Sequence, residues 1–172
     1  AGITVYHAVP SVEGAIKSAN AGVDGLVVEG TEGGGFKNPE EVGLLVLIQA
    51  IRKELDLPII AAGGIVDGTG MAAVFAAGAE GIQMGTRFVS SEESPVHDNF
   101  KNKILDSTIQ GTWILNKNSK PVIRALRTDF TKKIHEAGMM EMNDMSNIQD
   151  LYFGGDMNAA PALSGQSVGL ID

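Results

Sequence analysis

Apolar runs alternate with amphipathic segments along the first half of the chain. Ile3–Val9 alternates between two faces, and Gly25–Gly30, Leu57–Ala62 and Glu80–Met84 are short apolar runs with glycine at or near their ends. Short apolar runs bounded by turn residues are typical of buried parallel strands. The pattern therefore predicts strands that are separated by helices, as in a repeated βα architecture.

Three segments between these runs predict helices. Val12–Asn20 follows Ser11, whose hydroxyl can accept a hydrogen bond from the first helical turn. Asn38-Pro39 begins a second helix that extends to Leu55, because proline is tolerated in the first turn. The third helix is predicted at Thr69–Ala77. Each helix would connect two consecutive strands of one parallel sheet.

The pattern becomes less regular after Phe88. Ser90 or Ser91 caps a predicted helix that extends toward Leu105. The remaining predictions are a turn at 116–119, a strand or helix at 121–131, a helical region at 134–150 that Gly138 interrupts, and an irregular segment at 154–169. This part of the chain is therefore predicted to be a mostly helical extension.

Two glycine-containing loops carry the first candidate chemistry. Gly63 and Gly64 follow the third predicted strand, and Gly85 and Thr86 follow the fourth. Because glycine has no Cβ, its backbone N–H can approach an anion closely, and the Thr86 hydroxyl adds a donor. The alternative is that these glycines only form tight βα turns. The presence of two matched loops favours phosphate binding.

The residues around these loops resemble a known family. Nitronate monooxygenases, formerly called 2-nitropropane dioxygenases, are similar to this chain at 61–68 (AAGGIVDG) and at 78–88 (GAEGIQMGTRF). Flavin-dependent enoyl-acyl-carrier-protein reductases share much of the same pattern. The resemblance extends over nearly the whole chain and implies a TIM barrel that binds FMN, with the flavin phosphate at the loops after the last two strands.

The same resemblance assigns roles to individual residues. It implies that the cofactor is bound by Glu29, Gly34, Gly63, Gly64, Gln83, Met84, Gly85 and Thr86. Ser164–Gly169 resembles the family's final loop, which returns toward the flavin and the substrate. The serines of that loop are expected to donate hydrogen bonds there.

The length of the chain limits how much of a barrel it can form. A complete (β/α)₈ barrel takes about 250 residues, whereas the pattern here contains only four βα units. We therefore expect an α/β fold: residues 1–106 form the C-terminal half of a TIM barrel, with strands equivalent to five to eight, and residues 107–172 form a mostly helical extension packed on it. Because four strands leave open edges, either a missing N-terminal half-barrel or a homo-oligomeric partner is expected.

The loop from Glu29 to Phe36 is the candidate catalytic segment. It resembles the family loop Gly-x-Glu-Ala-Gly-Gly-His, whose histidine handles a proton of the substrate, but the histidine position is Phe36 here. A phenyl ring cannot act as a general base. His7, near the carboxyl end of its strand, is the predicted catalytic residue, and Glu32 and Lys37 are further substitutes. Each also has a structural explanation, as a hydrogen-bonded interior histidine or a loop-fixing charge.

Composition narrows the classes of function. The formal net charge of −8 argues against nucleic acid as a partner, and the basic residues between 117 and 133 are predicted to lie on a solvated helical face. No apolar run is long enough to span a membrane, and the absence of cysteine excludes disulfides and predicts a cytoplasmic location. His97 and His135 are predicted to be structural or exposed, and no metal site is predicted.

These observations lead to one expected function with two alternatives. The expected function is oxidation of alkyl nitronates, for example propionate 3-nitronate, by an FMN-dependent enzyme that uses dioxygen. A nitronate has already lost a proton, so the reaction needs little help from a base. The alternatives are a flavin-dependent enoyl-thioester reductase with a nicotinamide donor, and a non-catalytic flavin-binding fragment.

Overall fold

The computed structural model describes residues 2–172, apart from the side chain of Met142. The chain divides into two compact units: unit 1 contains the residues up to Glu32 and Glu40–Met84, and unit 2 contains Gly33–Pro39 and Gly85–Asp172. This division differs from the predicted domains 1–106 and 107–172, because Gly33–Pro39 and residues 85–106 pack with the C-terminal part of the chain.

A parallel sheet forms the centre of unit 1. Its strands are β1 (Tyr6–Val9), β2 (Gly25–Glu29), β4 (Ile59–Ala62) and β5 (Gly81–Gln83), in the spatial order β1-β2-β4-β5. All three strand pairs are parallel. The four strands predicted from the apolar runs are therefore present, each one to three residues shorter than predicted. Their carboxyl ends lie at the same edge of the sheet.

Helices connect these strands. They are α1 (Val12–Asn20), α2 (Leu44–Glu54) and α3 (Gly68–Ala76), and Ser11 and Asp67 accept the capping hydrogen bonds of α1 and α3. The prediction that α2 begins at Asn38-Pro39 was wrong. The helix begins at Leu44 because the carboxylate of Glu32, distant in sequence, accepts hydrogen bonds from the Leu44 N–H at 3.1 and 3.0 Å.

One apolar core supports unit 1. The helix-facing side of the sheet packs against α1, α2 and α3 through Val9, Ala15, Leu26, Val28, Leu47, Ile48, Ile51, Ile59, Ala61 and Val74. Burial of apolar area at about 25 cal/mol per Å² is the main stabilising contribution of such a core. The core thus fixes the positions of the strand ends from which the loops emerge.

An antiparallel sheet organises unit 2. Its strands are β3 (Gly35–Phe36), β6 (Thr112–Leu115) and β7 (Ile123–Leu126), in the order β3-β7-β6. β7 lies inside the segment predicted as strand or helix, and the turn predicted at 116–119 connects β6 to β7. β6 was not predicted, and β3 lies within the predicted glycine-rich loop.

Short helices complete unit 2. They are α4 (Thr86–Val89), α5 (Asp98–Leu105), α6 (Asp129–Ala137) and α7 (Ile148–Tyr152), with 3₁₀ helices at Met142–Met145 and Gln166–Leu170. The single helix predicted from Ser90 or Ser91 was wrong: α5 starts at Asp98, where His97 Nδ1 accepts a hydrogen bond from the Asn99 N–H at 3.1 Å. Gly138 ends α6 in the left-handed conformation, as the predicted interruption indicated. Within residues 2–172, every helix is too short or too polar to cross a membrane.

Candidate functional site

In the parallel sheet of unit 1, successive side chains along each strand point to opposite faces. Leu26, Val28, Ile59 and Ala61 belong to the helix-covered core. Because successive strand residues point to opposite faces, Val27, Glu29, Ile60 and Ala62 point away from the helices. On this helix-free face Val27, Glu29 and Ile60 are half-buried, and Ala62 is buried.

Two of the predicted cofactor-binding residues of unit 1 come together at the carboxyl edge of this face. Glu29 pairs in register with Ala62, and Ala62 pairs with Gln83, so the side chains of Glu29 and Gln83 share the helix-free face. The Gly30 N–H donates to the Ala62 carbonyl at 3.0 Å, which continues the pairing past the strand end. Met84, half-buried, follows directly after Gln83 but packs against the helix-covered core instead.

The Gly63–Gly64 loop leaves β4 at this edge in a conformation that favours glycine. Gly63 has φ +97° and Gly64 has φ +76°, both in the left-handed region. A Cβ on Gly64 would lie 3.1 Å from Glu32 Cβ, so a larger side chain would be strained and crowded. The loop is compact because the sequence places two glycines where the chain must reverse direction beside Glu32.

Glu32 has a structural role in this loop region. Both of its carboxylate oxygens accept from the Leu44 N–H, so the side chain caps α2. An anion at a helix N-terminus is favoured by the helix dipole and by the unpaired N–H groups there. A Cβ on Gly30 would overlap Glu32 Oε2 and Leu44, so Gly30 is needed for this close approach. This pairing is not evident from the sequence, because a cap from a residue distant in sequence leaves no local pattern.

His7 lies on the opposite face from the predicted cofactor-binding residues. It pairs in register with Leu26, a core residue, and its Nδ1 lies 2.7 Å from Ser18 Oγ of α1. Because Ser18 Oγ donates its only proton to the Gly14 carbonyl at 2.8 Å, His7 Nδ1 is the donor in this pair. His7 therefore lies on the opposite face of the sheet from Glu29 and Gln83. The geometry gives no support to the predicted catalytic role of His7.

In unit 2, Gly34 lies against the final loop of the chain. A Cβ on Gly34 would lie 2.6 Å from the Ser164 carbonyl carbon and 2.8 Å from the Gly165 nitrogen, so no side chain fits. Ser164 Oγ is buried and has no hydrogen-bond partner among the described residues. The final loop therefore packs directly against Gly34, and its predicted return toward the flavin stays a prediction.

The other predicted residues of unit 2 begin α4. The Thr86 hydroxyl accepts a hydrogen bond from the Gly165 N–H at 2.9 Å, which joins α4 to the final loop. Gly85, exposed, has open space where a Cβ would lie. Unit 2 therefore brings together Gly34, Thr86 and the Ser164–Gly165 backbone.

Phe36, which the sequence resemblance matches to the family histidine, is exposed. It pairs with Ile123 across β3 and β7, and 63% of its surface is accessible. The backbone N–H of Lys37 donates to the Val122 carbonyl at 2.8 Å. The strand pairing therefore places an apolar ring, without acid or base chemistry, at this position.

Comparison with known proteins agrees with the sequence resemblance. The family model for nitronate monooxygenase matches residues 1–165. A probable nitronate monooxygenase from Staphylococcus saprophyticus is 33% identical over 135 residues, which cover 73% of this chain and 38% of that protein. A (3aS,4S,5R,7aS)-5-hydroxy-7a-methyl-1-oxo-octahydro-1H-indene-4-carboxyl-CoA dehydrogenase from Rhodococcus jostii is 37% identical over 140 residues, or 81% of this chain and 39% of the relative.

Solved structures agree with the same assignment. FabK from Thermotoga maritima superposes with a TM-score of 0.90 at 40% identity, and the match covers 99% of this chain and 56% of that one. The chain thus spans less than two thirds of the length of each of these relatives. Since the family model covers all but the last few residues, the chain belongs to the nitronate monooxygenase family.

Proposed function

We propose that the chain is the FMN-binding part of an oxidoreductase that oxidises alkyl nitronates, such as propionate 3-nitronate, with dioxygen. The observation that carries this proposal is the Gly63–Gly64 loop. Both glycines have positive φ. The loop leaves the carboxyl edge of a parallel sheet directly after Ala62, which pairs with Glu29 on one side and with Gln83 on the other. Ligand sites of parallel α/β sheets lie at this edge.

The residues present fit a flavin phosphate and its surroundings. In unit 1, the backbone N–H groups of Gly63 and Gly64 would hold the phosphate, since no Cβ shields them. In unit 2, Gly85 and Thr86 at the start of α4 stay predicted phosphate ligands. When bound, FMN supplies the electron acceptor for the substrate and the donor for dioxygen.

The protein's own groups would then bind and orient rather than move a proton. Glu29 and Gln83 present polar atoms on the helix-free face of the sheet, where they would orient the bound ring system. Phe36 cannot accept a proton, and Glu32 is committed to capping α2. A substrate that arrives already deprotonated, as a nitronate does, suits this set of residues.

Visible absorbance tests the binding part of the proposal. The chain is mixed with FMN and desalted, and the spectrum is compared between the native sequence, Gly64→Val and Gly68→Ala. Gly64→Val is expected to lose the retained flavin because of its φ of +76° and the nearby Glu32 side chain. Gly68→Ala, where a Cβ meets nothing within 4 Å, is the matched control and is expected to keep it. Equal flavin retention in both variants would contradict the assignment.

A thioester substrate is the second candidate. The Rhodococcus relative is named a carboxyl-CoA dehydrogenase, and FabK is structurally similar. Oxygen uptake with propionate 3-nitronate in the absence of nicotinamide supports nitronate oxidation. Oxidation of a nicotinamide donor that requires an enoyl thioester supports the reductase. A flavin-loaded chain without either activity would be a non-catalytic flavin-binding fragment.

We also propose that the sheet of unit 1 is half of a (β/α)₈ barrel. Its four strands are all parallel, and both outer strands, β1 and β5, lack a second neighbour among the described residues. The helix-free face is partly apolar, with Val27 and Ile60 half-buried and Ala8 exposed, as expected for a barrel interior without its other half. The remaining strands would come from an N-terminal half-barrel or from a second copy of the chain.

A further inference from the structure

We propose that unit 2 contains a second anion site, distinct from the flavin site, which binds the phosphate group of a small phosphorylated molecule. The site is an open surface pocket of about 330 Å³ between α5, β6 and α6, and Arg127, Asp129 and Lys132 on its rim are exposed. It is lined by Lys103, Trp113, Arg127, Thr128, Asp129, Lys132, Met157 and Asn158. All of these residues belong to unit 2.

Charge is the first argument. Lys103, Arg127 and Lys132 give the lining three cations, and Asp129 is its only carboxylate. The whole chain has a formal net charge of −8, so a locally positive pocket is a departure from its surroundings. Within residues 2–172, Lys103 and Arg127 form no ion pair with a carboxylate, and the only partner of Lys132 is Glu136 at the long distance of 3.9 Å. The cations are therefore available to a ligand.

Arg127 is held in position by its neighbours. Its guanidinium carbon lies 4.4 Å from the centroid of the Trp113 ring, and its Nε donates to the Thr112 carbonyl at 3.3 Å. Both contacts orient the planar group and leave its two terminal nitrogens for an external acceptor. A guanidinium with fixed orientation binds phosphate oxygens in a bidentate manner.

Trp113 forms the part of the pocket wall on which Arg127 stacks. Its indole N–H is shielded from solvent and so does not face a ligand in the pocket. Trp113 therefore contributes to the site through its ring, which orients the guanidinium of Arg127. The His135 ring packs on the same indole, with 3.9 Å between centroids, so the ring position is fixed.

The N-terminus of α6 also lines the pocket. Thr128 and Thr131 use their hydroxyls to cap each other's backbone N–H groups, at 2.8 and 3.1 Å. The N–H groups of Asp129 and Phe130 have no intrahelical carbonyl, as in any first turn, and the helix dipole favours an anion there. Three cations around one pocket suit the dianionic charge of a phosphate ester better than a single carboxylate. The volume is at the lower end for small-molecule sites, so the ligand is small.

The test uses the only tryptophan of the chain, Trp113, as the reporter. Tryptophan fluorescence of the full chain without flavin is titrated with inorganic phosphate, pyrophosphate, AMP and acetate, and binding is repeated by calorimetry. We expect saturable binding of the phosphate compounds that weakens as salt increases. Tighter binding of AMP than of phosphate would indicate a nucleotide, and tightest binding of pyrophosphate would indicate a diphosphate.

Variants decide whether the signal comes from this pocket. Lys103→Gln and Arg127→Gln are expected to weaken phosphate binding about tenfold or more, because each removes a charge-assisted hydrogen bond. Lys133→Gln, on the same helix but outside the lining, is the matched control and should bind as the native chain does. Circular dichroism verifies that each variant is folded.

Three results would overturn the proposal: no saturable binding, acetate binding as tight as phosphate binding, or equal affinity in Lys103→Gln and Lys133→Gln. Loss of phosphate binding in Gly64→Val, with Lys103→Gln unaffected, would instead locate the phosphate at the flavin loop. The flavin-retention experiment is independent of these variants, so the two proposals can fail separately.

Discussion

At the scale of single residues, Glu32 shows how one side chain is assigned to structure rather than to catalysis. It was considered as a replacement for the family histidine because it lies in the candidate catalytic loop from Glu29 to Phe36. Its two oxygens instead accept from the Leu44 N–H, at 3.1 and 3.0 Å. This pairing fixes the loop after β2 to the start of α2, and it also fills the space next to Gly64.

The capping role predicts a loss of stability. Glu32→Ala removes the cap of α2 and is expected to lower the free energy of unfolding by about 1–2 kcal/mol. Glu32→Gln keeps one carbonyl oxygen and should lose less. Asp56→Ala, which removes an exposed carboxylate of the same unit, is the control and should change stability by less than about 0.5 kcal/mol. Urea denaturation measures all three. Unchanged stability of Glu32→Ala with lost nitronate oxidation would favour a catalytic role instead.

Tyr152 gives a prediction that depends on pH. Burial raises the pKa of the Tyr152 phenol, and its ring meets Phe100 edge-on with 5.0 Å between centroids. The contribution of the neutral phenol to stability is fully present below the unfolded-state pKa of about 10 and is lost as pH rises toward the higher folded-state pKa. Tyr152→Phe keeps the ring and removes the ionisable group. Its free energy of unfolding should therefore decline less steeply than that of the native chain above about pH 10, and parallel declines would contradict the prediction.

At the scale of elements, the sequence predicted the regular half of the fold best. The strands of unit 1 and α1 were confirmed because each is a buried run or an amphipathic segment with its own local cap. The start of α2 was mispredicted because its cap, Glu32, is distant in sequence. β6 was missed because its pairing with β7 is a tertiary contact, and β3 is only two residues long.

In the candidate site too, features with a local sequence signal were predicted, whereas features that depend on tertiary contacts were not. The Gly63–Gly64 loop and the alignment of Glu29 with Gln83 follow from glycine pairs and from apolar runs that can be seen in the sequence. The position of His7 required the register of β1 on β2, which places it with Leu26 on the helix-covered face. The pocket around Trp113 combines residues from four segments. Of its basic residues, Arg127 and Lys132 were interpreted only as part of a solvated face, and Lys103 was not considered.

Helix α2 provides the element-scale prediction. Ile48 is fully buried in the core, whereas Val46 on the same helix is 65% exposed. Ile48→Ala is expected to lower the free energy of unfolding by about 2–5 kcal/mol, because it removes buried methyl groups and leaves a cavity. Val46→Ala is the matched control, with a change of less than about 0.5 kcal/mol. The free energies of unfolding are measured by chemical denaturation. An equal loss of stability in both variants would contradict the assignment of Ile48 to the core and of Val46 to the surface.

At the scale of the whole molecule, the parallel sheet raises the question of what covers its helix-free face. The helix-covered face of the sheet is packed, whereas Ala8 on the other face is exposed and Val27 and Ile60 are half-buried. A parallel sheet is normally covered on both faces, since exposing either face leaves apolar area in water. In a solution of this chain alone, a second copy is the available partner.

Self-pairing through this face predicts a concentration-dependent dimer in analytical ultracentrifugation. Ala8→Asp places a charge on the helix-free face of β1. Because Ala8 is exposed in the single chain, the fold is expected to tolerate the charge. The dimer is expected to dissociate, because the charge would be buried in the interface. Ala72→Asp introduces the same charge at an exposed position of α3 and is the matched control, which should still dimerise. A native chain that stays monomeric at all concentrations, or an Ala8→Asp variant that dimerises as tightly as Ala72→Asp, would mean that this face does not mediate self-association. If the native chain stays monomeric and also loses FMN on desalting, then neither self-association through this face nor FMN binding by the chain alone is supported.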